Sequence, residues 1–250
     1  MKARELALHT LFRVVTEDAQ RLIAAHKQAG LDPDSVVIDE QEFYIHRVGH
    51  AFAHLLTWAE QLEDTLTYLS NYKYGAKSSG TGGGRAKHAL YMVENYLIRL
   101  QSIYDRCLQL VNCVFNLCIE DSNVGHAVIV SNLKVARTNV PNLLKQVKRS
   151  IKPHEQHRHT IIHRNSYQEK NLDRLQLFYM FDRDTWQAIG SPGNFDDLEE
   201  VRKDLLRRTL AEKKKEFALT NEGLMKVLCA LMDGLQPQYE KFKAQIGSYA

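Results

Sequence analysis

Apolar residues recur every three or four positions through most of this chain, and no stretch shows the alternate-residue pattern of a half-exposed strand. That periodicity restricts the fold to amphipathic helices packed on one another, so the chain is all-α. The first run covers 2–28 (Leu6, Leu8, Leu11, Val14, Val15, Leu22, Ile23) and ends at Gly30 before a turn at Asp32-Pro33-Asp34. A second covers 39–72. The clearest covers 86–120, where Leu90, Val93, Leu97, Leu100, Tyr104, Leu108, Val111, Phe115 and Cys118 form a seam that Asp121-Ser122-Asn123 and Gly125 stop. Helices at 128–136 and 140–151 follow, the latter with Pro141 in a permitted first-turn position. After Pro153 another helix runs to Asp182. Beyond the turn at 190–193, Asn194 or Asp196 caps a helix at 196–217 that begins acidic and closes on Lys213, Lys214 and Lys215. Acid first and base last suits the helix dipole, so the lysine run reads as helix-end stabilisation. A last helix spans 220–246, with Pro237 as a kink.

The stretch Gly75 to Gly84 (GAKSSGTGGG) is the one low-complexity segment. It lacks both the spacing of a phosphate loop and a preceding strand, so it reads as a flexible surface loop. No apolar run approaches the ~20 residues of a membrane span, and Lys2, Arg4, Glu5 and Arg13 near the N-terminus do not make a signal peptide. Cys107, Cys113, Cys118 and Cys229 contain no C-x-x-C pair, which excludes zinc ribbons and thioredoxin-type sites. Three of them lie in one apolar helical run, as buried thiols do, and the reading is a reducing cytoplasm.

Eleven histidines fall mainly in two groups. His46, His50 and His54 step by four along one helix and share one stripe. Two imidazoles at that spacing can hold a metal, but no further ligands accompany them. The stripe reads as a polar helix–helix or subunit contact, and neither a metal nor a cofactor is expected. His154, His157, His159 and His163 lie within ten residues, interleaved with Arg158 and Arg164. From Lys145 to Arg174 eight Lys or Arg face three acids, a local charge of +5 in a chain whose total is +3. That is an electrostatic footprint for phosphates.

Arginine matches phosphate oxygens with its fork, and histidine gives or takes a proton near neutral pH. Arg158 and His163 are separated by about 140° in a regular helix, so they share a pocket only if Arg158 sits in a first turn or bends across. Ile161 and Ile162 between them would anchor that helix on the core.

The segment Arg158-His159-Thr160-Ile161-Ile162-His163 resembles the R-x4-6-H motif of HEPN domains, with a polar residue after the arginine. Its context is similar too: a long helix at 86–120, shorter helices, and the motif near the start of a later one. Arg164 and Asn165 continue the likeness to a bacterial subfamily. The resemblance covers 86–185 and implies an antiparallel, HEPN-like helical bundle with extra flanking helices. N-terminal helices at 1–75 and C-terminal helices at 194–250 would then pack with the core as one continuous domain.

Many HEPN proteins are metal-independent endoribonucleases that act as homodimers, with two motif copies meeting at the subunit interface. Carried over, His163 is the general base or acid at an RNA 2′-hydroxyl or leaving oxygen, and Arg158 binds the scissile phosphate. His159, Arg164 and Asn165 support or bind substrate, although position 159 is more often Asn or Asp in the family. The implied partners are RNA, a second copy of the chain and an antitoxin or other regulator, in a toxin or phage-defence setting and with no membrane. The alternative is a non-catalytic module that binds nucleotide, RNA or a partner protein. Asp105 is a weaker candidate for orienting an arginine of the motif.

Overall fold

A computed structural model of the chain describes residues 3–30, 37–69, 84–157, 161, 167, 169–181, 183–190 and 193–248. Every secondary-structure element among them is helical. In chain order these are α1 (Ala3–Ala7), α2 (Thr10–Gln28), α3 (Glu40–Tyr68), α4 (Gly84–Val114), α5 (His126–Ser131), α6 (Leu133–Ala136), α7 (Val140–Ile151), α8 (Lys170–Tyr179), α9 (Arg183–Ala188) and α10 (Phe195–Gly247). Short 3-10 turns occupy Asp121–Asn123 and Lys152–His154. None of the described helices is long and apolar enough to cross a membrane.

The helices gather into two compact units, the first formed by Met1–Gln61, Gln101–Pro153 and Asn221–Ala250 and the second by Leu62–Leu100 and His154–Thr220. In the first, aromatic rings couple the helices. Phe12 of α2 packs on Phe52 of α3 at 4.9 Å, and Tyr44 of α3 stacks on Tyr239 of α10 at 5.7 Å. Each buried hydroxyl is satisfied, as burial requires. Tyr44 donates to the Val114 carbonyl at 2.7 Å, and Tyr239 to buried Asp18, whose charge Lys243 neutralises at 2.5 Å. At Gly234 of α10 a Cβ would meet Leu143 Cδ1 of α7 at 2.5 Å, so this glycine permits a close helix approach.

Helix α7 is amphipathic, with Val140, Leu143, Leu144, Val147 and Ile151 buried. Pro141 sits in its first turn as the sequence predicts.

Several boundaries differ from the sequence expectation, each for a local reason. The run 2–28 is broken at Leu8-His9, because His9 is extended and its Nδ1 accepts the Leu11 N–H, capping α2. The run 128–136 is two helices, since Asn132 turns extended and its Oδ1 caps α6 through the Lys134 N–H at 3.0 Å.

The seam helix starts at Gly84, inside the stretch read as a loop, and stops at Val114, before position 120. Asn116 has φ of 44°, a left-handed value that asparagine tolerates better than most residues. The Asn116 N–H bonds to the Cys113 carbonyl and the Leu117 N–H to the Asn112 carbonyl, which is a Schellman ending. The Asn112 side chain then clamps both the N–H and the C=O of Ile119.

In the second unit α4 buries Ala86, Ala89, Val93, Tyr96 and Leu97, and Tyr96 stacks on Phe217 of α10 at 3.7 Å. Burying rings of this size contributes roughly 1.5–3 kcal/mol each. The expected helix from Pro153 to Asp182 is interrupted, since Tyr167 and Glu169 are non-helical and α8 begins only at Lys170. The short helix α9, which the sequence reading lacked, is tied back by Arg183 to Asp196 and by the Trp186 indole to the Gly193 carbonyl. Of the two candidate caps for α10, Asn194 makes the capping contact, accepting the Asp196 N–H at 3.1 Å.

The expected helices at 196–217 and 220–246 are one helix of 53 residues with Pro237 inside it. The helix runs through the expected gap at 218–219, and the Thr220 hydroxyl donates to the Glu216 carbonyl one turn back. Lys213 is therefore mid-helix and buried, and the reading of the lysine run as a helix end fails.

Candidate functional site

Arg158, His159, His163, Arg164 and Asn165 lie outside the described residues, as does Ile162. Ile161 is helical and half-buried. Both flanks of the motif are described, and both belong to the second unit. His154 and His157 stand before it, Tyr167 and Glu169 after it.

His154 is only 8% exposed. Its Nε2 lies 3.4 Å from the Thr220 hydroxyl, whose own proton goes to the Glu216 carbonyl. Nδ1 is buried and without a hydrogen bond, 3.8 Å from a Glu216 carboxylate oxygen. Burial holds the pKa of His154 below the ordinary histidine value. Glu216 pulls it up, while His157 and Lys213 push it further down.

Downstream, the Tyr167 N–H donates to Glu94 Oε1 at 2.7 Å, and its hydroxyl donates to Glu169 at 3.2 Å. The His157 ring meets the Tyr167 ring edge-on at 5.0 Å, so residues on opposite sides of the motif are in contact.

One lysine joins the flanks. Lys213 Nζ lies 2.6 Å from Glu169 and 2.8 Å from Glu216, and its side chain is 7% exposed. Burial alone would lower its pKa, but the hydrogen bonds to Glu169 and Glu216 outweigh that and raise it. Lys213 is therefore a fixed charge. It ties Glu169, just after the motif, to Glu216, which faces His154 just before it. Tyr167 is buried, and its hydroxyl belongs to this polar cluster.

Sequence alone places Lys213 at a helix end and gives Glu169, Glu216 and Glu94 no part in a site. A signal existed in the spacing. Leu206, Thr209, Lys213, Phe217 and Leu224 step by three, four or seven along α10 and all are buried, so the lysine sits on the inner stripe.

The remaining candidates lie in the first unit. His46, His50 and His54 are exposed, with His50 and His54 in mutual contact at 3.1 Å between Nε2 atoms. They line a cleft of about 820 Å³ with Arg47, Arg106 and Cys118. Among the described residues no group of three or more His, Cys, Asp or Glu side chains is arranged to hold a metal ion. Asp105 is exposed and belongs to this first unit, whereas the motif's flanks belong to the second. The basic segment divides likewise: Lys145, Lys148, Arg149 and Lys152 are exposed on or just after α7, and Lys170 and Arg174 are exposed on α8.

The fold is an all-α helical bundle of the kind HEPN domains adopt. The family model HEPN_Cthe2314-like HEPN matches residues 54–231, and the chain belongs to that family. The match takes in the whole motif segment, α4, α8 and most of α10. No curated protein and no solved structure matches the chain.

Proposed function

We propose that this protein is a metal-independent endoribonuclease that works as a homodimer and cuts RNA through its own 2′-hydroxyl. The carrying observation is that Arg158 and His163 are both present at R-x4-H spacing inside the matched HEPN segment. Two further features support it. The chain on both sides of the motif is pinned by buried polar contacts, as a site needing fixed geometry requires. The surrounding sequence carries the +5 charge that a phosphate backbone selects.

In this reading His163 takes the proton from a 2′-hydroxyl, and the oxygen attacks the adjacent phosphorus. The 5′-oxygen leaves with a proton supplied by the second copy of the motif. Arg158 holds the charge that builds on the phosphoryl oxygens, the term that most lowers such barriers. The products are a 2′,3′-cyclic phosphate and a 5′-hydroxyl. His159, Arg164 and Asn165 bind or orient substrate. A cytoplasmic role as a toxin or defence effector, restrained by an antitoxin, extends the reading from the family alone.

The test is cleavage of total bacterial RNA in EDTA by the native protein, His163→Ala and Arg158→Ala, with end-group analysis. Native protein alone should cut, leaving cyclic phosphate ends. His163→Ala should lose roughly 10²–10⁴-fold, the usual worth of a histidine general acid–base. Three folded proteins that all fail to cut would favour a non-catalytic module that binds nucleotide, RNA or a protein.

A further inference from the structure

Helix α7 and its C-cap carry four cations and no acid. Lys145, Lys148 and Arg149 lie on it and Lys152 caps its C-terminus, all exposed. At about 100° per residue the spacing i, i+3, i+4, i+7 keeps all four within an arc of about 100°. The opposite face is anchored by Val140, Leu144, Val147 and Ile151, and the Ile151 carbonyl accepts a bond from buried Gln101 at 2.8 Å. The stripe is therefore held on a packed helix.

None of the four has a carboxylate partner among the described residues. Elsewhere exposed cations are commonly paired a turn away, as Arg13 is with Glu17, Lys203 with Glu199 and Lys226 with Glu222. The helix dipole favours cations in the last turn. That accounts for Lys148, Arg149 and Lys152, but not for Lys145 a turn earlier, nor for a helix with no acid to offset them. Four like charges on one face repel each other, and a polyanion laid along them relieves that repulsion by displacing counterions.

We propose that the outer face of α7 is the docking surface for the phosphate backbone of single-stranded RNA, read by charge and not by base. At 1.5 Å rise per residue the stripe extends about 10 Å, enough for two or three successive phosphates met by side chains of this reach. The chain continues from Lys152 to Arg158 within six residues, so the surface leads in sequence to the motif. The identity of the ligand rests on the ribonuclease reading, while the surface itself rests on the unpaired charges. Binding and cutting then involve different residues, which mutation can separate.

The experiment measures anisotropy of fluorescein-labelled poly(U) across a salt series, using full-length His163→Ala so that nothing is cut. The second protein adds Lys145→Gln, Lys148→Gln and Lys152→Gln. Glutamine keeps helix propensity, and far-UV circular dichroism checks the fold. Three lost phosphate contacts should reduce the slope of log affinity against log salt by about 2 and weaken binding roughly 10–100-fold. Lys215→Gln, exposed on α10, should change neither. Unchanged affinity and slope in the triple variant would overturn the proposal, as would no RNA binding by either protein. Cleavage is scored separately in the same substitutions with His163 restored. RNA binding through α7 without cutting contradicts the nuclease but keeps the surface, and cutting with an unchanged KM does the reverse.

Discussion

Lys213 is the residue on which the described part of the site depends. It neutralises Glu169, just after the motif, and Glu216 of α10, which faces His154 just before it, from a buried position. Lys213→Met should cost roughly 1–3 kcal/mol in urea unfolding, because both carboxylates lose their partner yet keep some water. Lys215→Met, from an exposed lysine two residues on, should stay within about 0.5 kcal/mol. Equal effects would mean that the buried bridges contribute nothing.

His154 gives a pH signature. Its folded pKa lies below the ordinary 6.5, so below that pH the unfolded chain binds the extra proton more readily. The contribution is complete above 6.5 and is lost as pH falls through the folded value. Half-buried His88 and exposed His126 are lowered in the same direction and set a background. Between about pH 7.5 and 5.5 native protein should therefore lose more stability than His154→Asn, and parallel pH profiles would exclude His154 as a contributor.

Among the helices, the legible features were those encoded in side-chain period. The stripes of α3, α4 and α7 were readable from apolar spacing, and Pro141 and Asn194 marked two helix starts correctly. What escaped was set by single polar contacts formed between distant residues or against the backbone. The Schellman ending at Asn116 looks in sequence like six more residues of seam, since Phe115 and Cys118 keep the period. Lys213 could not be told from its neighbours without the helix stripe, and Glu169 and Glu94 gave no sequence signal at all.

The motif itself was legible as a pattern. The polar frame on its two sides was not, because its members are scattered from residue 94 to 220. The end of α4 is testable directly. With φ of 44°, Asn116→Val should destabilise by about 1–2 kcal/mol, whereas Asn116→Gly should be neutral or slightly stabilising. A Val variant as stable as the Gly variant would show that the left-handed turn is not populated in solution.

For the whole molecule, membership of the HEPN family and the all-α bundle frame the chemistry, and the motif supplies the residues. If two motif copies build one site, sedimentation should give about twice the mass of one 28.8 kDa chain, and a monomer that cuts RNA would remove the need for a second copy. In the proposed reaction the nucleophile belongs to the substrate. A short RNA that the native protein cuts at one place can be resynthesised with a single 2′-deoxy nucleotide just 5′ of the scissile phosphate. Cleavage at that phosphate should disappear while binding persists. Continued cutting there would show that water or a protein group attacks instead, and would contradict the mechanism assigned to Arg158 and His163.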